Sequence, residues 1–362
     1  MIERKNILIC PLEWGLGHAG RMIPLARHLQ ALNQNVFFGS GEKQLAFVKS
    51  ELPGVTCIQF PGFGIKYSRF LPQYLIILLK SPVLIYHIIR EHNKLKKIIK
   101  DHSIDIVISD NRIGLWNKEI KSVFVTHQLR IPFPRPFRFL EITGVLINRL
   151  IIKNYSYCFI PDLAGELNVS GKLSHGVKLP DNVRYIGILS RFKDQNIAGR
   201  KPDSEKCVVI LSGPEPQRTI LRQKLTEALL SSGKPAVILE GRPGIGEESY
   251  KDRNILYHNH LGQEETIKLL KQSEIIITRS GYTTIMELIS LGKSALLIPT
   301  PGQTEQEYLA EYLTRKGWFL SIKQNELKGN TDLSANKAII PSAILEESNV
   351  LLKNSLKELL EE

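Results

Sequence analysis

Two stretches of this 362-residue chain hold residue types that could bind an anion and move a proton beside it. The first is Thr278-Arg279-Ser280-Gly281-Tyr282-Thr283-Thr284-Ile285-Met286-Glu287-Leu288, with Gly292-Lys293 and then Pro299-Thr300-Pro301-Gly302-Gln303-Thr304-Glu305-Gln306 behind it. The apolar run Glu274 to Thr278 predicts a buried parallel strand, and Ile285, Leu288 and Ile289 predict a helix of period near 3.6 after a small-residue turn. A strand, a tight turn and a helix N-terminus make an anion site. Backbone N–H groups and hydroxyls of Ser280, Gly281, Thr283 and Thr284 could face a diphosphate, where the helix adds about half a positive charge. One turn on, the Glu287 carboxylate could accept two hydrogen bonds from a ribose diol. Taken as strand, turn and helix alone, the same stretch is an ordinary α/β connection.

The second stretch is Pro11-Leu12-Glu13-Trp14-Gly15-Leu16-Gly17-His18-Ala19-Gly20-Arg21, between an apolar strand and an amphipathic helix carrying Ile23, Leu25, Ala26, Leu29 and Leu32. Gly15, Gly17 and Gly20 let the backbone approach a ligand closely. The pattern Gly-x-Gly-His-x-x-Arg puts the His18 imidazole and the Arg21 guanidinium at the carboxyl edge of a sheet, where α/β crevices open. His18 titrates near neutrality and could act as a general base, or it could cap the helix. Ser109-Asp110-Asn111-Arg112 and Thr126-His127-Gln128 end two further strands at the same edge. Asp110, His127 and Gln128 could bind substrate hydroxyls or cap the helices that follow.

These residues need a scaffold of alternating strands and helices, and the chain supplies two such series. Strands are predicted at Ile7–Cys10, Val36–Phe38, Val55–Phe60, Ile104–Ser109, Ser122–Thr126 and Tyr157–Ile160, then at Val208–Ser212, Ala236–Glu240, Ile255–Tyr257, Ile275–Thr278, Ala295–Ile298 and Trp318–Ile322. Alternation of this kind argues for parallel sheets with helices on both faces. The polar segment Ile188 to Glu205, with Gly199 and Pro202, reads as the linker. The expected organisation is an N-terminal domain over residues 1–188, a second over 189–340, and a terminal helix over 341–362.

Composition bounds the partners. The chain is 43% hydrophobic and 23% charged, which fits a soluble globular protein, and it is large enough for two cores. A net charge of +12 suggests an anionic partner: a nucleotide, an anionic lipid or a nucleic acid. Nucleic acid is disfavoured, because no zinc-ligand spacing, RNP pattern or helix-turn-helix signature is present. Cys10, Cys57, Cys158 and Cys207 sit singly on apolar segments and read as free thiols of a reducing compartment. Residues 1–10 lack the apolar core of a signal peptide, so a cytoplasmic protein is expected.

On the Arg-Ser-Gly turn, Glu287, the Pro-Thr-Pro-Gly turn and the polar run Gln303 to Gln306, the chain resembles the C-terminal domain of family 28 glycosyltransferases, the MurG-like enzymes. That resemblance implies the GT-B architecture: two Rossmann-like domains facing across a cleft, with a C-terminal helix crossing back to the first. It implies that Glu287 holds the nucleotide ribose and that Gln303 and Gln306 lie at the donor sugar. It makes His18 a candidate base, with Gly15, Gly17, Arg21, Asp110, His127 and Gln128 on the acceptor side. Gly187-Ile188-Leu189-Ser190-Arg191 is similar to the family's Asn-Pro-Val-Arg element, so Arg191 is expected near the base, as is the backbone at Leu261. Ser212 and Gly213 stand in the family's diphosphate loop, but Pro214 and Pro216 remove N–H donors from it. The family's His-Glu-Gln motif lacks its Glu at His127-Gln128. The reaction so implied is inverting, metal-independent transfer of a hexosyl group, N-acetylhexosamine above all, from a UDP-sugar to a glycan or polyprenyl-linked acceptor. The nucleotide sugar is then a substrate, and no cofactor is expected. The Gly-x-Gly-His-x-x-Arg loop is also similar to that of sugar-nucleotide hydrolases of the pseudaminic acid pathway type, which leaves hydrolysis as an alternative. A non-catalytic binding protein of the same fold is a third.

The segment from Phe63 to Lys100 crowds Phe70, Leu71, Tyr74 to Leu79 and Val83 to Ile89 among Lys66, Arg69, Lys80, Arg90, Lys94, Lys96, Lys97 and Lys100. Lys80 and Pro82 interrupt it, and neither half reaches the ~20 apolar residues of a spanning helix. Together with Ile131 to Lys153 it could form a basic apolar surface for the inner face of an anionic membrane, or it could be core helices with solvated lysines.

Overall fold

The computed structural model describes residues 3–64, 80–133, 135–192, 203–213, 215–242, 248–331, 333 and 338–361. Of these, residues 3–191 and 342–361 form one compact unit and residues 192–341 a second.

In the first unit, β1 (Asn6–Cys10), β2 (Asn35–Ser40), β3 (Thr56–Gln59), β4 (Ile106–Asp110), β5 (Lys121–Val125), β6 (Tyr157–Ile160) and β7 (Val183–Tyr185) form a parallel sheet in the order 3-2-1-4-5-6-7. Every residue from Ile7 to Cys10 is 0% exposed, as a strand covered on both faces must be. Period-two alternation divides them: Ile7 and Ile9 join one core, Leu8 and Cys10 the other. The flanking helices are α1 (Leu16–Ala31), α2 (Glu42–Glu51), α3 (Ser81–His102) and α4 (Leu140–Ile152). Pro82 opens α3, where its missing N–H costs nothing, and Ser103 closes it in the left-handed region. Strand order reverses between β1 and β4, so the loops that follow them leave toward opposite sides and open a crevice at their carboxyl ends.

In the second unit, β8 (Asp203–Ile210), β9 (Ala236–Leu239), β10 (Ser249–Asp252), β11 (Ile255–His258), β12 (Ser273–Thr278), β13 (Leu296–Leu297) and β14 (Leu320–Ser321) take the order 10-11-9-8-12-13-14. All pairings are parallel except β10 with β11. The helices are α5 (Gln217–Ser232), α6 (Gln263–Gln272), α7 (Tyr282–Ser290) and α8 (Thr304–Arg315). Here the reversal falls between β8 and β12. The two series of the sequence thus become two doubly wound sheets, to which the structure adds β7 and β10, both edge strands with polar residues in their short runs.

The last helix, α9 (Ala343–Glu361), returns to the first unit. Leu352, Leu356, Leu359 and Leu360 enter the core that α1 shares with the sheet, each burial contributing about 1.5–3 kcal/mol. Lys5 Nζ donates to the Leu360 carbonyl and Lys121 Nζ to that of Leu359, which satisfies carbonyls at the helix end with cations. Arg184 forks onto Glu358, and Ile188 N donates to Ser348 Oγ at 3.0 Å. Gly187 sits at φ +73, and a Cβ there would lie 2.3 Å from the Ser348 Cα. Only glycine fits. Gly187→Ala should therefore displace α9 and lower the unfolding free energy of the first unit by at least about 2 kcal/mol, the scale of combined strain and overpacking, measurable by urea titration. An unchanged unfolding midpoint would mean that α9 does not depend on this contact.

Candidate active site

In the first unit the loop after β1 is tied down before it reaches the helix. Glu13 Oε1 accepts from Ser40 Oγ and from Gly41 N, and Glu13 Oε2 accepts from Gly62 N at 3.0 Å, so one carboxylate joins this loop to the ends of β2 and β3. Gln44 Nε2 donates to the Leu12 and Gly15 carbonyls, and Trp14 Nε1 to that of Phe63. Gly15 takes φ +134, a conformation that L side chains rarely adopt, and α1 starts directly after it. His18 then falls in the first helical turn and Arg21 three residues on, the same face one turn along.

Asp110 ends β4, beside β1 in the sheet, and its side chain is 0% exposed. His18 Nδ1 lies 2.8 Å from Asp110 Oδ2. Arg21 Nε donates to the same oxygen at 2.9 Å, its Nη2 donates to Oδ1, and its Nη1 meets His127 Nδ1 at 3.1 Å. His127 follows β5, the next strand over. Burial alone would raise the Asp110 pKa, but Arg21 and His18 more than offset it and hold the carboxyl below the ordinary carboxylate range. For His18, burial lowers the pKa, Asp110 opposes this, and Arg21 reinforces it, so the imidazole titrates below the ordinary histidine value. Its side chain is 21% exposed. The four residues that the sequence sets at one sheet edge are therefore one hydrogen-bonded cluster, capable of taking a proton at the outer nitrogen of His18. Gln128 N turns back to Thr126 Oγ1, and the Gln128 carbonyl accepts from Asn148, so its backbone is engaged locally.

In the second unit, the loops after β8, β12 and β13 converge. Gly281 precedes α7 and provides no side-chain cap. Arg279 is 0% exposed and reaches across the strand ends: Nη1 donates to the Ile298 and Pro299 carbonyls, and Nη2 to the Gln217 carbonyl and to Gln324 Oε1. Among the described residues no carboxylate pairs with it, and burial lowers its pKa to about 10. Ser280 Oγ donates to the Gln306 carbonyl, while Gln306 Oε1 accepts from Thr300 N at 2.9 Å. Among the described residues the buried Thr300 Oγ1 and Gln303 Oε1 have no partner. A Cβ on Gly213, itself at φ +94, would lie 3.9 Å from that threonine hydroxyl, so the loops after β8 and β13 meet here. Glu287 is 8% exposed on the inward side of α7.

Other residues singled out in the sequence take partners of their own. Arg218 and Arg242 are both bound to Glu215; burial raises the Glu215 pKa, but hydrogen bonds from Arg218, Thr219 and Arg242 together outweigh it and hold the carboxyl at about 2. Arg191 pairs with Glu51 and stacks over Phe47 inside the first unit. Leu261 follows β11 and is partly exposed. Residues 65–79, which carry much of the basic apolar segment, and 193–202 of the linker lie outside the described residues, as does Pro214. The sequence reading did not single out Glu13, Gln44, Thr300 or Arg279 for these roles. A lone acid inside a glycine-rich loop was the available sign for Glu13.

Two doubly wound sheets, each with a polar cluster at its reversal of strand order, are the fold of the GT-B glycosyltransferases. Residues 252–340 match the glycosyltransferase family 28 C-terminal domain. An uncharacterized glycosyltransferase of Methanosarcina acetivorans is 26% identical over 86% of this chain and 84% of its own. The UDP-N-acetylglucosamine--N-acetylmuramyl-(pentapeptide) pyrophosphoryl-undecaprenol N-acetylglucosamine transferase of Exiguobacterium sibiricum is 37% identical over 26% of this chain and 27% of its own. Among solved structures, the glycotransferase of kitacinnamycin superposes with a TM-score of 0.64 at 14% identity, covering 99% of this chain and 100% of that one. The chain is a glycosyltransferase.

The Asp110–Arg21 pair makes a pH-dependent contribution whose sign is fixed by the lowered Asp110 pKa. Its stabilisation is complete above the unfolded carboxylate value of about 3.9 and is lost as pH falls through the lower folded value. Asp110→Asn leaves the buried Arg21 without a counter-charge and should cost about 3–5 kcal/mol at neutral pH while flattening the acid limb of the stability profile. Urea unfolding of both proteins between pH 3 and 7 measures this, and parallel profiles would show that the pair does not carry the acid dependence.

Proposed function

We propose that the protein transfers a hexosyl group, N-acetylhexosaminyl by preference, from a UDP-sugar to a hydroxyl of a glycan or polyprenyl-linked acceptor, with inversion and without a metal. The observation that supports this reading is the reversal of strand order in the second unit, where the loops after β8, β12 and β13 bring the start of α7, a buried guanidinium bound to neutral oxygens, and Thr300 Oγ1 and Gln303 Oε1, without a partner among the described residues, to one sheet edge. Ser280, Gly281, Thr283 and Thr284 hold the diphosphate, assisted by Ser212 and Gly213. Glu287 binds the ribose, the backbone at Leu261 and the Arg191 element approach the base, and Gln303 and Gln306 approach the sugar. The Arg279 charge and the α7 dipole stabilise the departing diphosphate, a preorganised effect that can supply several kcal/mol.

His18 Nε2 takes the acceptor proton while the acceptor oxygen bonds to the anomeric carbon. The old carbon–oxygen bond breaks and its electron pair leaves with the diphosphate. Asp110 stabilises the imidazolium that results. Gly15, Gly17, His127 and Gln128 form the acceptor side. The partial relative from Exiguobacterium, named for a UDP-N-acetylglucosamine donor and an undecaprenol-linked acceptor, supports both substrate classes.

Calorimetric titration with UDP, GDP, CDP and dTDP in the presence of EDTA should show preferential UDP binding. Glu287→Ala should weaken it by about 1–3 kcal/mol, the cost of losing a charged hydrogen bond. Absence of nucleotide binding would end the transferase reading for this site. Release of UDP from the nucleotide sugar without any acceptor would favour hydrolysis instead.

An anionic membrane is the proposed peripheral partner, on the inner face of the cytoplasmic membrane. Ile142, Leu146, Ile147 and Leu150 of α4 and Val83, Ile85, Tyr86 and Ile89 of α3 are exposed, with Phe139 at 69%. A pocket of about 240 Å³ beside α4 is lined by Arg130, Arg138, Glu141, Ile142 and Leu146, placing cations next to apolar groups. No described helix is long and apolar enough to cross a membrane. Sedimentation with phosphatidylglycerol vesicles should capture the protein, phosphatidylcholine vesicles should not, and Ile142→Asp with Leu146→Asp should release it. Equal recovery of wild type and double variant in the pellet would remove α4 from the contact.

A further inference from the structure

Arg21 takes no part in the proton transfer itself. It is 2% exposed and too deeply placed to meet a substrate, yet all three of its bonding nitrogens are committed within one cluster. A guanidinium can only donate. His127 Nδ1 must therefore accept, which puts that ring's proton on Nε2. An ionised carboxylate can only accept, so the contact from Asp110 puts the His18 proton on Nδ1 and leaves the Nε2 lone pair outward. The two imidazoles hold opposite tautomers, and one guanidinium sets both, directly at His127 and through Asp110 at His18.

An electrostatic consequence accompanies the geometry. A carboxylate 2.8 Å from an imidazole, with no other partner, would favour the imidazolium, which has no lone pair with which to act as a base. Arg21 occupies both oxygens of that carboxylate and cancels its charge. The charged and titratable groups acting on His18 are Asp110 from β4, Arg21 from its own helix and His127 from the loop after β5. Of these, only Asp110 favours the protonated ring.

We propose that Arg21 is a positioning residue: by holding both oxygens of Asp110 and Nδ1 of His127, it fixes the tautomers of the two imidazoles and keeps Nε2 of His18 available as a proton acceptor. The inference rests on the reading of His18 as the base, and it gives a buried arginine a chemical task that packing would not require.

The test is ¹⁵N nuclear magnetic resonance of histidine-labelled full-length protein through a pH titration, with His18 and His127 assigned from His18→Gln and His127→Gln. In Arg21→Met the His18 midpoint should rise by about 1–3 pH units, the shift an uncompensated carboxylate produces. The acid limb of kcat/KM should move to higher pH with it. Arg21→Lys restores charge without the fork, so its His18 midpoint should return toward wild type while the His127 ring loses its single Nε2–H tautomer. A folded Arg21→Met protein with an unmoved or lowered His18 midpoint overturns the proposal. If that variant does not fold, a His127 tautomer unchanged in Arg21→Lys overturns it instead. The ring signals are read without any sugar nucleotide, so failure to find a donor substrate would count against the transferase reading and leave this result standing.

Discussion

Where consecutive crossovers leave a parallel sheet in opposite directions, the two loops at the point of reversal cannot cover each other, and a crevice is left at the strand ends. This constraint acts twice in the chain. Between β1 and β4 it brings a glycine-rich turn beside Asp110; between β8 and β12 it brings Gly213 beside the Ser280-Gly281 turn. Neither cluster needs its residues near one another in sequence. They need only sit at the carboxyl ends of neighbouring strands or in the turn and first helical turns that follow, and the register of β1 on β4, Cys10 opposite Ser109, sets Asp110 at that edge.

The two clusters solve the burial of charge in different ways. In the first unit a buried guanidinium is matched by a buried carboxylate, a pair whose attraction repays the loss of hydration only because every polar contact is made. In the second, Arg279 is surrounded by neutral oxygens, so it contributes a net positive field to its surroundings. Its Nε, together with Thr300 Oγ1 and Gln303 Oε1, is left without a partner. Native interiors rarely tolerate such groups, and three of the four among the described residues lie in the second unit, with Arg112 Nη2 of the first as the other, which is the physical ground for the proposed donor site.

Much of this was legible from residue types, but only where local pattern and tertiary role coincide. Apolar runs such as Ile275-Ile276-Ile277 become central strands because burial on both faces demands them. β7 escaped because Val183-Arg184-Tyr185 has an arginine in its middle, and that arginine serves α9 rather than the sheet. The antiparallel β10 escaped because its exposed edge carries Ser249, Lys251 and Asp252. Within the site, His18 and Arg21 could be placed together from their spacing. That Arg21 reaches Asp110, 89 residues away, and thereby governs His18, depends on strand order, which no local pattern encodes. Thr300 was passed over for the same reason: its importance is an absence of partners, visible only once its neighbours are in place.

The return of α9 to the first sheet makes that unit discontinuous in the chain. Its core lacks Leu352, Leu356, Leu359 and Leu360 until the entire second unit has been synthesised. During translation the face of the sheet beside α1 must therefore wait, exposed and apolar, while a later-made unit can already close around its own continuous segment. The order of completion is the reverse of the order of synthesis, because the glycine at 187 cannot take its place against Ser348 until α9 has been made.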